Sequence, residues 1–242
     1  MIKKVRPYNI YESKKKQISR MFNNISLNYD IVNKIISFGS DRFWRKKLVQ
    51  KVSSVKPRKT LDIATGTAEV AIELSKIEKN QVFGIDISNK MLEIGNKKII
   101  KLKLEKKINL IEGDAENMNF SDKSFDAITI AFGVRNFDNL EKALKEVFRV
   151  MKKKGLLVIL ETSVPRNKLF KNLYKICSNF FLPIIGYIVS KDAKAYKYLY
   201  DSTLNFPNKN SFNNILSKNG FINIKFQQYS FGVVSIYCAN KP

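Results

Sequence analysis

Hydrophobic positions in this chain follow two rhythms, and the change between them divides the sequence. From about Tyr11 to Val52, apolar residues recur every three or four positions, which predicts two helices that break near Asn28-Tyr29-Asp30. After Pro57 short apolar runs take over, separated by amphipathic stretches. The runs predict strands at Thr60 to Thr65, Gln81 to Asp86, Ile108 to Gly113, Phe125 to Phe132 and Leu156 to Glu161, the last opened by Gly155. Helices are expected between them. One runs from about Thr67 to Lys76, and one starts after Ser88 with Leu92, Ile99 and Leu102 on a single face. The clearest is capped by Asp138, carries Glu141 three residues later, and lines up Leu140, Leu144, Val147, Phe148 and Met151.

Alternating strands and helices with short connections predict an α/β fold, a doubly wound parallel sheet with right-handed crossovers. Two regions depart from that plan. Residues 163–207 form a long aromatic-rich helical insertion, and the chain finishes with a hairpin. A helix ending at Asn219-Gly220 precedes strands Phe221 to Tyr229 and Val233 to Ala239, turned antiparallel by Ser230-Phe231-Gly232. The 242 residues are thus expected to form one domain, with residues 11–52 as a helical cap and 163–207 as a lid.

Composition changes this picture only by exclusion. The chain has no histidine, so catalytic triads and ordinary zinc sites are excluded, and no metal is expected. Cys177 and Cys238 stand without neighbouring ligands and are expected to be structural. No run of about 18 apolar residues suggests a membrane span, and residues 1–16 lack a signal-peptide core, so a cytoplasmic protein is expected. The net charge of +23 invites a nucleic-acid reading. The lysines are spread along the chain among many asparagines and isoleucines, however, as AT-rich codons would supply. A diffuse excess reads as solvated surface, so no specific nucleic-acid partner is expected.

The candidate chemistry sits at the strand ends, where open parallel sheets bind ligands. The first strand runs into Asp62-Ile63-Ala64-Thr65-Gly66-Thr67-Ala68, where Gly66 permits close backbone approach. Asp86 follows about 20 residues on, the spacing of a ribose-binding acid. Gly113-Asp114-Ala115 adds an acid placed for an adenine amino group. A pyrophosphate loop wants three glycines, whereas this loop has Ala64 and Ala68 at two of those places and an acid nearby. That suits S-adenosyl-L-methionine (SAM), which has no phosphate and carries cationic ammonium and sulfonium groups. Singly, Asp86 could be a helix cap and Asp114 a turn residue; three acids at three consecutive strand ends read as a site. A five-strand parallel core closed by a C-terminal hairpin is also the architecture of class I SAM-dependent methyltransferases, with a mostly parallel seven-stranded, Rossmann-like sheet.

The sequence resembles the ubiquinone/menaquinone biosynthesis C-methyltransferase family over nearly its whole length. The resemblance is carried by Tyr29-Asp30-x-x-Asn33 with Ser37, Gly39, Trp44 and Arg45, by the Asp62 to Thr67 loop, by Gly84-Ile85-Asp86-Ile87-Ser88 with Met91-Leu92, and by Gly113-Asp114-Ala115-Glu116. Ala131-Phe132-Gly133-Val134-Arg135-Asn136, Leu160-Glu161 with Pro165, Pro183 to Gly186, Tyr196-x-Tyr198-Leu199, Ser202 and Phe206-Pro207 continue it. It implies methylation of a ring carbon of a prenylated quinol, with SAM as donor and cofactor contacts at Thr67, Asp86, Asp114, Ala115 and the backbone around Ala131. With the loop reading, the expected cofactor set is Asp62, Gly66, Thr67, Asp86, Ile87, Asp114, Ala115 and Ala131. The chain departs from the pattern at Ala68, where glycine is common, at Lys152-Lys153-Lys154, where a Pro-Gly turn is usual, and at Thr162.

A quinol carbon becomes nucleophilic when its neighbouring hydroxyl ionises. Arg135 cannot be the base, because guanidinium stays protonated, but it can stabilise the quinolate. Asn136 is expected to hold a quinol oxygen, and Asp30, or Tyr29 through water, to accept the proton. The prenyl tail needs an apolar path, for which Leu173 to Val189 is the candidate, as a lid or as a contact at the inner face of the membrane with its flanking lysines on anionic lipid. The compact form without an N-terminal extension favours demethylmenaquinol over a ubiquinone precursor. An RNA or protein methyltransferase of the same fold, and a binding module without turnover, are the rival classes; self-association is left open.

Overall fold

The computed structural model describes residues 5–165, 167, 192–207 and 209–242. The expected lid segment, Leu173 to Val189, and Cys177 lie outside the described residues. Three helices come first, α1 (Lys14–Ile25), α2 (Tyr29–Ile36) and α3 (Ser40–Ser53), where two were expected. The break at Asn28 is there, as a 3-10 turn over Ser26–Asn28. The second break falls at Phe38 and Gly39, whose backbones are left-handed (φ 49° and 74°) and cannot continue a helix.

The alternating part follows as β1 (Lys59–Ile63), α4 (Glu69–Leu74), β2 (Gln81–Asp86), α5 (Asn89–Lys101), β3 (Ile108–Glu112), β4 (Phe125–Ala131), α6 (Leu140–Val150) and β5 (Met151–Thr162). Then come α7 (Ala193–Asn205), α8 (Lys209–Lys218), β6 (Ile222–Tyr229) and β7 (Val234–Asn240). Ser88 caps α5 as expected, its hydroxyl accepting from the Met91 amide. The cap of α6 is Asn139 rather than Asp138: the Asn139 side-chain Oδ1 accepts from the Lys142 amide, and the Asp138 amide is instead held by Glu116.

All seven strands form one sheet in the order β3-β2-β1-β4-β5-β7-β6. The first five run parallel, and β7 pairs antiparallel with both β5 and β6. Crossing from β1 to both neighbours puts the strand-order reversal between β1 and β4, so a crevice opens at their carboxyl ends. Side chains alternate across the sheet. Leu61, Ile63, Ile128 and Ile130 face α6, whose Ala143, Leu144, Val147 and Val150 are fully buried against them. Ala127, Val158 and Leu160 face α3 and α4 through Leu48, Val52, Ala71 and Leu74. Each such leucine contributes about 1.5–3 kcal/mol by burial, and Leu144→Ala would cost about 2–5. A third apolar cluster joins α1, α2, α5 and α7 through Ile18, Met21, Val32, Met91, Tyr196 and Tyr198. It lays the helical cap across the carboxyl end of the sheet. No described helix is long and apolar enough to cross a membrane.

Candidate active site

Where β1, β2, β3 and β4 end, a cleft opens to solvent. Each strand end contributes to its wall: Ile63, Ala64 and Gly66 after β1, Asp86 and Ile87 at β2, Gly113 to Glu116 after β3, and Ala131 to Gly133 after β4. The β1–α4 loop is sharply wound, with left-handed backbone at Ala64, Gly66 and Ala68 (φ 55°, 55° and 66°). The Gly66 amide donates to Asp86 Oδ2 at 2.8 Å, and the Ser88 amide donates to Oδ1 at 2.9 Å. Asp86 is thereby aimed into the cleft from both sides. Burial pushes its carboxyl up to about 6, although the amides of Ser88, Gly66 and Ile87 work against that shift. On the next wall Gly133 is required: a Cβ there would lie 2.6 Å from Ala64 Cβ and close the crevice.

Of the expected cofactor residues, Gly66, Asp86, Ile87, Asp114, Ala115 and Ala131 line this cleft. Asp62 and Thr67 do not. Asp62 is inside β1, not at its end, and alternation turns it to the buried face, where its carboxylate accepts the hydroxyls of Thr65 (2.7 Å) and Thr129 (2.6 Å). Burial raises it to about 6, with both hydroxyls pulling back. Its role is to pin the loop from beneath. The Thr67 side chain points away as well, donating to Asp30 at 2.7 Å.

The acceptor-side residues also divide. Tyr29 and Asn136 line the cleft. Arg135 lies behind them, its Nη1 donating to the Phe132 carbonyl at 3.0 Å and paired with the fully buried Glu161. Burial pulls the guanidinium down, but the Glu161 carboxylate outweighs this and its pKa ends raised. Its Nε is buried and has no hydrogen-bond partner among the described residues. Tyr198, from α7, donates to Asn136 Oδ1 at 3.1 Å, and burial raises its phenol. Burial raises Tyr29 too, so its phenol is a donor and not a base. Asp30 is half-buried and committed on both oxygens, to Thr67 and to Lys98 Nζ at 2.6 Å.

Sequence reasoning missed the α1 contribution. Lys15, Ile18 and Phe22 close one side of the cleft, and Lys15 Nζ pairs with Asp114 Oδ2 at 2.5 Å and Glu116 Oε2 at 3.3 Å. Nothing in a run of three lysines distinguishes the middle one. Glu161 stood in the resemblance without a role, and its pairing with Arg135 depends on β5 lying beside β4.

The donor set answers which ligand the cleft suits. Half-buried Asp86 holds open acceptor capacity for hydroxyls, Asp114 stands 28 residues on at the next strand end, and Lys15, the cation among the described lining residues, is paired with Asp114 and Glu116. A phosphate would meet carboxylates there, whereas a cationic, ribose-bearing ligand meets partners. With the 3-2-1-4-5-7-6 sheet, this defines a class I SAM-dependent methyltransferase.

Comparison with known proteins narrows the class. The profile of the ubiE/COQ5 methyltransferase family matches residues 10–241. A demethylmenaquinone methyltransferase of Bacteroides fragilis is 38% identical over 239 residues, 98% of each chain. A ubiquinone/menaquinone biosynthesis C-methyltransferase UbiE of Geotalea daltonii is 40% identical over 230 residues, 94% of this chain and 97% of the other. Among solved structures, a SAM-dependent methyltransferase of Thermotoga maritima superposes with a TM-score of 0.63 at 22% identity, covering 93% of this chain and 100% of the other. The [4+2]-cyclase SpnF does so at 0.68 and 13%, covering 97% and 98%. At such identities the structures speak for the fold alone, and a cyclase among them shows that the fold does not dictate the reaction. The chain belongs to the ubiE/COQ5 methyltransferase family, and its cofactor is SAM.

Proposed function

We propose that this protein methylates a ring carbon of a prenylated quinol, with demethylmenaquinol as the substrate. The observation that carries the reading is the near end-to-end similarity to relatives named for that reaction. The site's chemistry supports it. SAM would be held by Asp86 at the ribose hydroxyls and by Asp114 and the Ala115 and Ala131 backbones around the adenine, and it supplies the methyl group. The protein's own residues then have to raise the electron density of the ring carbon. Asn136, oriented by Tyr198, and the neutral Tyr29 phenol offer hydrogen bonds to quinol oxygens at the cleft wall. Arg135 supplies positive charge behind them and lowers the pKa of the quinol hydroxyl, while Glu161 keeps the guanidinium fixed. The hydroxyl proton leaves through the open cleft to water. Asp30 is not assigned the proton, because both its oxygens are engaged elsewhere.

A prenylated substrate resides in lipid, so we place the reaction in the cytoplasm at the inner face of the membrane. The relative named for both quinones supports a second reading, methylation of the ubiquinone precursor. Incubating the purified protein with SAM and short-chain forms of each substrate, followed by mass spectrometry, decides between them. Turnover of the naphthoquinol and not the benzoquinol is the expected result. Turnover of neither, with methylated RNA or protein instead, would overturn the reading.

A further inference from the structure

Asp30 lies beside the site without facing it, and the residues it holds connect the two halves of the cleft. It follows Tyr29, which lines the acceptor side, and its Oδ1 accepts the Thr67 hydroxyl at 2.7 Å. Thr67 follows Gly66, whose amide donates to Asp86 at 2.8 Å. The path Tyr29-Asp30···Thr67-Gly66···Asp86 thus runs from the acceptor wall to the cofactor carboxylate through two hydrogen bonds and two peptide links.

The surroundings make this link stiff. Thr67 is buried and stands between two left-handed residues, Gly66 and Ala68, in a turn that needs an external tie to stay wound. Asp30 Oδ2 is held by Lys98 of α5, and Lys98 also pairs with Glu69, the first residue of α4. Glu69 in turn meets Arg45 at 3.5 Å, and Arg45 pairs with Asp41 at 2.7 Å on α3. Three carboxylates and two cations therefore bind α2, α3, α4 and α5 around the base of the cofactor loop.

We propose that Asp30 is a positioning residue that couples the cofactor subsite to the acceptor subsite. Filling the Asp86 side fixes the Gly66–Thr67 turn, the turn fixes Asp30, and Asp30 sets α2 and Tyr29 for the quinol. Cofactor and acceptor therefore bind with positive cooperativity, and by linkage each strengthens the other by the same factor. The identity of the acceptor rests on the function proposed above; the effect of Asp30 on the cofactor does not.

The test is calorimetry with S-adenosylhomocysteine on wild type, Asp30→Asn, Thr67→Val, the double variant and Thr67→Ser, with thermal melts to confirm folding. Although neither side chain faces the cleft, each single variant should weaken binding roughly three- to tenfold, Thr67→Val by removing the hydrogen bond and Asp30→Asn by taking its charge assistance away. The double variant should lose no more than either single one, and Thr67→Ser, which keeps the hydroxyl, should bind like wild type. Lys98→Gln serves as a second probe, leaves the Thr67–Asp30 bond in place, and should have the smaller effect. Saturating S-adenosylhomocysteine should also tighten a short-chain demethylmenaquinone about fivefold or more in wild type and not in Asp30→Asn. S-adenosylhomocysteine affinity within twofold of wild type in both single variants, or losses that multiply in the double one, would overturn the coupling. So would an Asp30→Asn enzyme with both affinities intact, a collapsed kcat and a missing acid-limb pH dependence, which would make Asp30 the proton acceptor. If wild type binds no quinone while the double-variant pattern holds, the substrate reading fails and the effect of Asp30 on the cofactor subsite stands.

Discussion

The two walls of the cleft are built by different means. The cofactor wall is mostly backbone: strand ends, a left-handed loop, amides that aim Asp86, and a glycine at 133 that keeps the crevice open. The acceptor wall is mostly side chains gathered from distant segments, with Tyr29 from α2, Asn136 after β4, Glu161 from β5 and Tyr198 from α7. A backbone-built wall follows from topology and resists substitution, so one fold can serve many methyl acceptors while keeping one donor. A side-chain-built wall can be rewritten residue by residue, and we propose that acceptor specificity resides there.

The largest expected effect tests the acceptor wall. Arg135→Met should lower single-turnover methylation by about 10²- to 10³-fold with little change in SAM affinity. It would also leave Glu161 charged, buried and unpaired, at about 3–5 kcal/mol of stability. Arg135→Met combined with Glu161→Gln should recover melting temperature but not turnover, and raising the pH should partly restore rate by ionising the quinol. Loss of SAM binding in step with activity would move Arg135 to the cofactor wall and dissolve the comparison.

On the other wall, Asp86→Ala should weaken SAM binding by about 2–3 kcal/mol, or roughly 30- to 150-fold, measured by calorimetry on folded protein. Unchanged affinity would remove Asp86 from the site.

A pH series sharpens the same point. Asp86 must be ionised to accept hydroxyls, and burial has raised it to about 6. SAM affinity should hold above pH 7 and fall up to about tenfold per unit below pH 6, with Asp86→Asn weaker throughout and much flatter. Stability runs the other way. A carboxyl raised in the folded state binds its proton more tightly there, so its ionisation costs stability as pH rises from about 4 through 6. Unliganded Asp86→Asn should therefore melt above wild type at pH 7 and converge with it near pH 4.

The smallest effect concerns the loop's alanines. Left-handed alanine is strained by about 1–2 kcal/mol, partly offset by glycine's freedom in the unfolded chain. Ala64→Gly should therefore raise stability by up to about 1 kcal/mol, a gain of about 2–4 °C in melting temperature. A lower melting temperature would mean that the Ala64 methyl, which faces Gly133, contributes more by packing than its backbone costs.

Legibility in the sequence followed the same division. The strands, the Ser88 cap, the single-glycine loop and Asp86 were all predicted, because period-two apolar runs and strand-end chemistry are local signals. Asp62 was expected at the strand's end, whereas it lies one residue inside β1 with its carboxylate taken by Thr65 and Thr129, partners that only the folded sheet reveals. The third helix was missed because Phe38 reads as one more apolar position, whereas its exposed, left-handed backbone ends a helix. Lys15, Glu161 and Tyr198 carried no recognisable role, since each acquires its partner only when segments separated by 26 to 99 residues meet.

The place of β7 has a consequence for how the molecule is made. Among the described residues β6 pairs with no strand except β7, and β7 is inserted between it and β5. Strand β6 leaves the ribosome first and must wait unpaired, its neighbour arriving only when residues 234–240 emerge. Five of the seven strands can assemble vectorially, from β1 to β5, while β6 and β7 close in a late step whose β5–β7 pairing spans a long sequence separation and slows folding. A chain halted before Val234 would carry β5 with an open edge, and that edge is Leu156, Leu157, Val158, Ile159 and Leu160, the longest unbroken apolar run among the described strands and a ready template for aggregation.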